Sequence, residues 1–162
     1  MLYDVIDASK HKTGITGTIE MMSTLPENNY FLVVRIWVKT FDNTLLLIQR
    51  LPSKSDALLW ENPGTLVASG NCSVKEAIND LYNETGIIIG RKDLIYYGDT
   101  IDGSCIVETY GCKIETPMIY LQDDKIQDAL FIPISNIEES KDYITKNAWN
   151  NYKSNEKAIN LL

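Results

Sequence analysis

Histidine and clusters of basic residues are scarce in this sequence. Its 162 residues include one histidine, His11, and its 15 lysines and arginines are outnumbered by 22 aspartates and glutamates. The formal net charge of -7, without a basic run, argues against a track for nucleic-acid phosphates, because such a track needs clustered Lys and Arg. A metal-binding or general-base histidine needs oriented partners. His11 stands between two lysines, so we expect it to be exposed.

Cysteines in metal-binding patterns and long apolar runs are also absent. Cys72, Cys105 and Cys112 are odd in number and lack metal-type spacing, which predicts reduced thiols in a cytoplasmic protein. No apolar stretch approaches the ~20 residues that a membrane span requires, and the N-terminus lacks the pattern of a signal peptide. A content of 44% hydrophobic and 23% charged residues is typical of a globular protein, and we expect one domain over residues 1–162.

The strongest pattern present is a glycine-flanked loop followed by one amphipathic helix, within residues 64–87. Ser73 and Glu76 have the spacing of a capping box at the start of the helix, and Gly86 is placed to end it in the left-handed conformation. Small and apolar residues recur at helical spacing between those ends: Val74, Ala77, Ile78, Leu81 and Thr85.

Three carboxylates, Glu76, Asp80 and Glu84, stand four residues apart on the same helix, with Asn79 and Asn83 beside them. The spacing predicts an acidic face nearly opposite the apolar stripe. One interpretation is a solvated surface, which is the commoner fate of a charged stripe. The other is a site for Mg2+, a cation that prefers oxygen ligands and often takes one or two carboxylates plus substrate phosphates.

The same segment resembles the sequence box of Nudix hydrolases. The frame fits without a gap, but the box is degenerate: Thr65 stands at the first Gly position, Asn71 at the first Glu, Asn79 and Asp80 at Arg-Glu, Asn83 and Glu84 at Glu-Glu, and Gly86 at the last Gly. Upstream, residues 2–7, 12–14, 30–38, 46–50 and 59–61 resemble the branch related to isopentenyl diphosphate isomerase. That isomerase uses several histidines and a cysteine motif, so isomerase activity is not expected here.

The resemblance implies a fold, a reaction and a cofactor. The implied fold is an α/β/α sandwich with a mixed central sheet, and the implied reaction is hydrolysis of a phosphoanhydride in a nucleoside diphosphate derivative with Mg2+ or Mn2+. Asp80 and Glu84 are the implied metal ligands and catalytic carboxylates. Asn83 occupies a third ligand position with only a neutral carbonyl oxygen. Asp80 is shorter than Glu by about 1.5 Å, so we expect reduced activity.

Two cations flank the polar loop at residues 51–56. Arg50 and Lys54 are the candidate substrate-binding residues, Arg as a bidentate fork and Lys as a point charge. Solvated charges at a strand end are the alternative for each. Nudix enzymes often take a further acidic residue from outside the box, and the sequence does not choose among Glu108, Glu115, Asp123 and Asp124.

The remaining patterns predict strands and one more helix. Strands are expected at residues 2–6, 30–40, 44–50, 87–89, 94–101, 104–115, 118–121 and 129–134. Ser135 and Glu138 have the spacing of a cap for a last helix that runs toward Leu162.

Three functions remain open from the sequence. The first is a Mg2+-dependent hydrolase acting on a small, phosphorylated, nucleotide-linked substrate. The second is a Nudix-fold module that binds or senses a nucleotide without cleaving it, which the asparagines at charged box positions favour. The third is a dimeric scaffold protein, a homodimer, in which the box helix only supports the fold.

Overall fold

The computed structural model describes residues 1–122 and 124–162. Its strands are β1 (Tyr3–Ile6), β2 (Lys12–Gly17), β3 (Tyr30–Thr40), β4 (Thr44–Gln49), β5 (Trp60–Glu61), β6 (Gly64–Leu66), β7 (Ile95–Asp102), β8 (Cys105–Ile114) and β9 (Asp128–Pro133). Its α-helices are α1 (Ser73–Thr85) and α2 (Lys146–Asn160). Short 3-10 helices cover Ile19–Thr24, Arg91–Asp93, Ile134–Asn136 and Lys141–Tyr143. Asp123, one of the candidate acids, lies outside the described residues.

Strand β3 is the centre of the mixed sheet. It pairs in parallel with β8 from Phe31 opposite Cys105 to Thr40 opposite Ile114, and it pairs antiparallel with β1, β4 and β6. A strand covered on both faces has a continuous apolar sequence, which explains the run at the start of β3. The strand predicted at residues 30–40 is confirmed.

The segment from β5 to β6 lies in a gap between β3 and β4. These two strands pair at Lys39 and Leu45, next to their turn. Farther from the turn, β6 pairs with β3 at residues 33–35, while β5 pairs with β4 at residues 48–49. Gly64 is required at this junction, because a Cβ there would lie 2.7 Å from the carbonyl oxygen of Val34. The gap brings residues 60–64 to the centre of the sheet.

One helix covers each face of the sheet. On the α1 side, Leu81 packs with Ile36, Val38 and Leu46. On the α2 side, Tyr152 and Ile159 pack with Trp37, Leu45 and Leu47. The predicted α/β/α sandwich with a mixed central sheet is therefore confirmed. Within the described ranges, no helix is long and apolar enough to cross a membrane.

Two predicted strands are not strands. Residues 87–89 are unpaired, and they follow α1 so closely that Ile87 and Ile89 are buried under it in the core. Residues 118–121 run past the end of α1, where the backbone N–H of Tyr120 donates to the carbonyl of Thr85 at 2.8 Å. Both predictions followed apolar runs, and such runs also occur in extended segments that pack on a helix.

The predicted helix caps also need correction, except at Gly86. The N-cap of α1 is Cys72, without a side-chain cap, while the Ser73 hydroxyl lies 3.2 Å from the hydroxyl of Tyr110. Helix α2 begins at Lys146 rather than after Ser135, because the Thr145 hydroxyl accepts from the N–H of Ala148 at 3.2 Å. Gly86 ends α1 with φ 73° and ψ 2°, as predicted.

Candidate active site

The acidic stripe of α1 lies beside the buried stripe of the helix, not opposite it. Seven residues make about two helical turns, so Glu84 follows Ala77 along one side of the helix, and Ala77 is buried. Asp80 and Glu84 are half-buried. Asp80 Oδ2 and Glu84 Oε2 have almost no solvent contact, and neither has a hydrogen-bond partner in the described part of the chain. The solvated-face interpretation is therefore wrong for this pair.

Burial makes the negative charges of this pair costly. It raises the pKa of Asp80 to about 6, with a further contribution from Glu76. The pKa of Glu84 is raised to about 9, mainly by burial and then by the charges of Asp80 and Glu61. Lys125 acts in the opposite direction on both pKa values. A cation placed between the two carboxylates would remove the repulsion that favours their protonated forms.

Glu61 is a third carboxylate of this site, and sequence reasoning gave it no role. Its Oε1 lies 2.7 Å from Arg50 Nη1, and its Oε2 lies 3.6 Å from Arg35 Nη2. Arg35 Nη1 also donates to Asn62 Oδ1 at 3.1 Å. The sequence did contain a cue, because a carboxylate at the end of a short strand directly precedes the glycine-flanked loop. The two arginine partners are distant in sequence and were not predictable.

Of the two predicted substrate-binding cations, Arg50 is held by hydrogen bonds within the protein and Lys54 is exposed. Arg50 donates from Nε to the carbonyl of Ser55 at 2.6 Å as well as from Nη1 to Glu61. Its guanidinium group therefore holds the 51–56 loop against the acidic site. Lys54 is exposed on that loop.

Asn83, the predicted third ligand, lies on the exposed flank of α1. It lines a hollow of about 500 Å³ together with Tyr82, Tyr120, Gln122 and Lys125. Its exposure sets it apart from the half-buried Asp80 and Glu84. Asn83 therefore faces the hollow, whereas Asp80 and Glu84 each bury one carboxylate oxygen.

The remaining candidate acids have separate surroundings. Glu108 is buried and its Oε1 lies 3.0 Å from Lys10 Nζ. Glu115 is exposed beyond the end of β8, and Asp124 lines the same hollow as Asn83. His11 is exposed, as expected.

The fit of a divalent ion depends on the pair alone. Among residues 1–122 and 124–162, no three His, Cys, Asp or Glu side chains form a group that could hold a metal ion. Mg2+ is commonly bound by one or two carboxylates, with waters and substrate phosphates completing its shell. The unpartnered oxygens of Asp80 and Glu84 fit that arrangement, although they do not form a closed protein cage.

The arrangement of the sheet and the two helices defines a known fold. A mixed sheet between two helices, with a glycine-flanked loop and the acidic helix α1 on one face, is the Nudix fold.

Solved structures with this fold resemble the chain at low sequence identity. A bifunctional NMN adenylyltransferase/ADP ribose pyrophosphatase from Francisella tularensis, complexed with AMP and a Mn ion, matches 86% of this chain at 19% identity and a TM-score of 0.67. The NUDIX domain of Shewanella oneidensis NrtR, complexed with ADP ribose, matches 88% of this chain and 99% of that domain at 12% identity and a TM-score of 0.69. A NUDIX hydrolase from Nitrosomonas europaea matches 80% of this chain and 90% of its own at 15% identity and a TM-score of 0.65.

These likenesses establish the fold. The chain spans 45% of the bifunctional Francisella protein. No protein-family profile and no curated protein matches the sequence.

Proposed function

We propose that this chain is a cytoplasmic Nudix-type hydrolase that cleaves a phosphoanhydride in a nucleoside diphosphate derivative, with Mg2+ or Mn2+ and at a reduced rate. The observation that carries the proposal is the pair of buried, unpartnered carboxylate oxygens on Asp80 and Glu84. Buried polar atoms without partners are rare in proteins and often mark the place of an ion or ligand. The AMP, Mn ion and ADP ribose bound by two structural neighbours support a nucleotide-linked ligand.

Asp80 and Glu84 would hold the metal ion. When bound, the ion supplies positive charge that stabilises the phosphoryl oxygens in the transition state. Metal binding requires ionised carboxylates, so the pair must first give up the protons that burial favours. Asn83 would add at most a carbonyl oxygen from the exposed flank of α1.

Glu61 is the candidate for orienting the attacking water. Arg50 and Arg35 hold its carboxylate in a fixed position, and its charge contributes to the raised pKa of both Asp80 and Glu84. The water oxygen would bond to phosphorus while the bond from phosphorus to the bridging oxygen breaks, and the water proton would pass to Glu61. The products would be two phosphate-containing fragments.

Arg50 and Lys54 would neutralise the substrate. Arg50 uses Nε, Nη1 and Nη2 on Ser55 and Glu61, but a guanidinium carries five N–H donors in all. The remaining donors can contact a phosphate without breaking these bonds. Lys54 would supply a mobile point charge from the exposed loop.

The degenerate box accounts for the reduced rate. Asn71 and Asn79 stand where the resemblance expects Glu and Arg, so two neutral amides replace two opposite charges. The Asn71 amide now donates to Glu76, which ties the loop to α1. The loop is therefore held in place without the charges of a complete box.

The test is hydrolysis of ADP-ribose and other nucleoside diphosphate derivatives with and without Mg2+. We expect slow, Mg2+-dependent turnover that is lost in Asp80→Asn and in Glu84→Gln. Glu139→Gln is the matched control, because Glu139 is an exposed acid outside the site. Turnover that is unchanged in Asp80→Asn would refute the assignment.

A nucleotide-binding module without hydrolysis is the second candidate. Among the described residues, no three acids, Glu61 included, are grouped closely enough to hold a metal ion, and this favours the module. Calorimetry would distinguish the two functions: metal-independent binding of ADP-ribose with no product supports the module. Binding of neither nucleotide nor divalent ion would leave the scaffold, including a homodimer. The kinship with the isopentenyl diphosphate isomerase branch stays a prediction.

A further inference from the structure

A polar cleft of about 190 Å³ lies between α2 and the hairpin formed by β7 and β8. Its helix wall consists of Asn147, Asn150, Asn151 and Ser154. These positions follow the i, i+3, i+4 and i+7 spacing that places residues on one stripe of a helix. The cleft therefore has one wall made entirely of uncharged hydrogen-bonding side chains.

Asn151 anchors this wall to the sheet. Its Oδ1 accepts from Trp37 Nε1 at 2.8 Å, and its Nδ2 donates to Thr109 Oγ1 at 2.8 Å. Both partners lie inside the protein, so these bonds fix the rotation of α2 about its own axis. Asn147 and Asn150 are exposed, and their amides keep both donors and acceptors available to a ligand.

The facing wall differs in chemistry. Ile101 and Val107 contribute apolar surface, and Asp102 contributes a carboxylate that can accept from hydroxyl groups. An anion would be repelled by Asp102, whereas a neutral ring with hydroxyl substituents would find both apolar contact and hydrogen bonds. Ligand pockets commonly combine apolar walls with a few fixed polar groups in this way.

Arg35 connects the cleft to the candidate active site. It lines the cleft, and its Nη2 lies 3.6 Å from Glu61 Oε2. Glu61 is in turn close enough to Asp80 and Glu84 to raise the pKa of both. A ligand in the cleft would therefore have its phosphates near Arg35, the residue that pairs with Glu61.

We infer that this cleft binds the nucleoside part of the substrate, with Asn147 and Asn150 hydrogen-bonding its sugar or base. The inference rests on the proposed function, because it assigns the non-phosphate half of the same substrate. The cleft, at about 190 Å³, is smaller than the roughly 300 Å³ at which pockets that enclose a drug-sized ligand begin, so the rest of a diphosphate derivative would lie outside it.

Calorimetry in EDTA with AMP, GMP, CMP and UMP tests the inference without requiring hydrolysis. We expect at least one of these nucleotides to bind, and Asn150→Leu to weaken that binding about tenfold through loss of an amide contact. Asn160→Leu is the matched control, since Asn160 is an exposed amide on α2 outside the cleft, and it should bind as the unchanged protein does. Asn147→Leu provides a second variant, and a thermal melt of each confirms folding.

Binding in EDTA separates this inference from the proposed function, because it requires neither metal nor turnover. A protein with this binding pattern but no Mg2+-dependent hydrolysis would keep the nucleoside cleft while refuting the hydrolase. Failure of all four nucleotides to bind would overturn the inference. So would binding that survives Asn147→Leu and Asn150→Leu but is lost in Tyr120→Ala, because that result places the nucleoside in the hollow beside Asn83.

Discussion

Two acidic pairs in this molecule have opposite surroundings. Asp99 and Glu108 share one ammonium group, with Lys10 Nζ at 2.6 Å and 3.0 Å from them. Asp80 and Glu84 instead bury one oxygen each without a partner in the described residues. The hydrogen bond from Lys10 is the main cause of the lowered pKa of Asp99, whereas burial raises both pKa values in α1. The first pair therefore has a cation from the protein in direct contact, and the second has no such contact among the described residues.

This difference separates a structural role from a candidate functional one. Lys10 reaches from the turn between β1 and β2 to strands β7 and β8, so its bonds join distant parts of the chain. Within residues 1–122 and 124–162, no ion pair or side-chain hydrogen bond joins the α1 pair to another element, and burial makes its charges costly. Strongly perturbed acids that lack a structural reason are the better candidates for a functional site.

The largest expected effect comes from removing the charges of each pair in turn. Asp80→Asn combined with Glu84→Gln should lower Mg2+-dependent turnover about 100-fold or more, because the metal loses its protein carboxylates. Asp99→Asn combined with Glu108→Gln should leave turnover within about twofold and lower stability instead. Steady-state kinetics and urea unfolding on both double variants measure the contrast. Equal losses of turnover in the two would abolish the distinction.

The second prediction removes Lys10, the cation shared by Asp99 and Glu108. The α1 pair has no such contact within the described residues. Lys10→Met leaves Asp99 beside the buried Glu108 without compensation, so the free energy of unfolding should fall by about 1–3 kcal/mol. The control is Lys12→Met, which removes the more exposed ion pair of Lys12 with Asp4 at 2.7 Å and should cost about 1 kcal/mol or less. A Lys10→Met protein as stable as the control would mean that the network contributes little.

The third prediction concerns pH. In the unfolded chain, Asp80 and Glu84 lose their protons near pH 4, whereas in the folded protein they keep them to higher pH. The stability that comes from these protonated side chains is therefore complete below about pH 4. It is lost as the pH rises through about 6 for Asp80 and about 9 for Glu84. For Asp99, whose pKa is lowered, stability is present at neutral pH and lost on acidification.

Thermal melts from pH 5 to pH 9 test these signs. The melting temperature of the unchanged protein should fall by a few degrees relative to the Asp80→Asn and Glu84→Gln double variant as the pH rises, and Mg2+ should restore it at pH 8. Parallel curves for the two proteins would show that the carboxylates are not buried in solution.

The sequence predicted the parts of the site that depend on local rules. The helix that begins near Ser73 and its stop at Gly86 follow from spacing and residue type, and both occur in the structure. The depth of Asp80 and Glu84 did not follow, because it depends on how α1 is seated on the sheet. Stripe patterns give the angle between residues on a helix, but they do not say how far the neighbouring loops extend over its sides.

The contacts of Glu61 could not be predicted from the sequence for a related reason. Arg50 and Arg35 meet it because β3 and β4 separate and admit the segment from β5 to β6, and no local pattern encodes that gap. The start of α2 was mispredicted for a simpler cause. Ser135 and Thr145 both have the residue type of an N-cap, and tertiary packing determined which of them is used.

The smallest expected effect, which sharpens the comparison between the two acidic pairs, comes from removing the charge of Lys125. This lysine is the nearest counterpart of Lys10 for the α1 pair, since it lowers the pKa of both Asp80 and Glu84. Lys125→Met should therefore increase the apparent affinity for Mg2+ about two- to threefold, because a competing positive charge is removed, and should slightly lower the melting temperature in EDTA at pH 8. Mg2+ titrations of the melting temperature measure both effects, with the exposed Lys92→Met as control. An unchanged Mg2+ midpoint would mean that Lys125 already turns away from the pair in solution, and that the α1 carboxylates are even less compensated than their surroundings suggest.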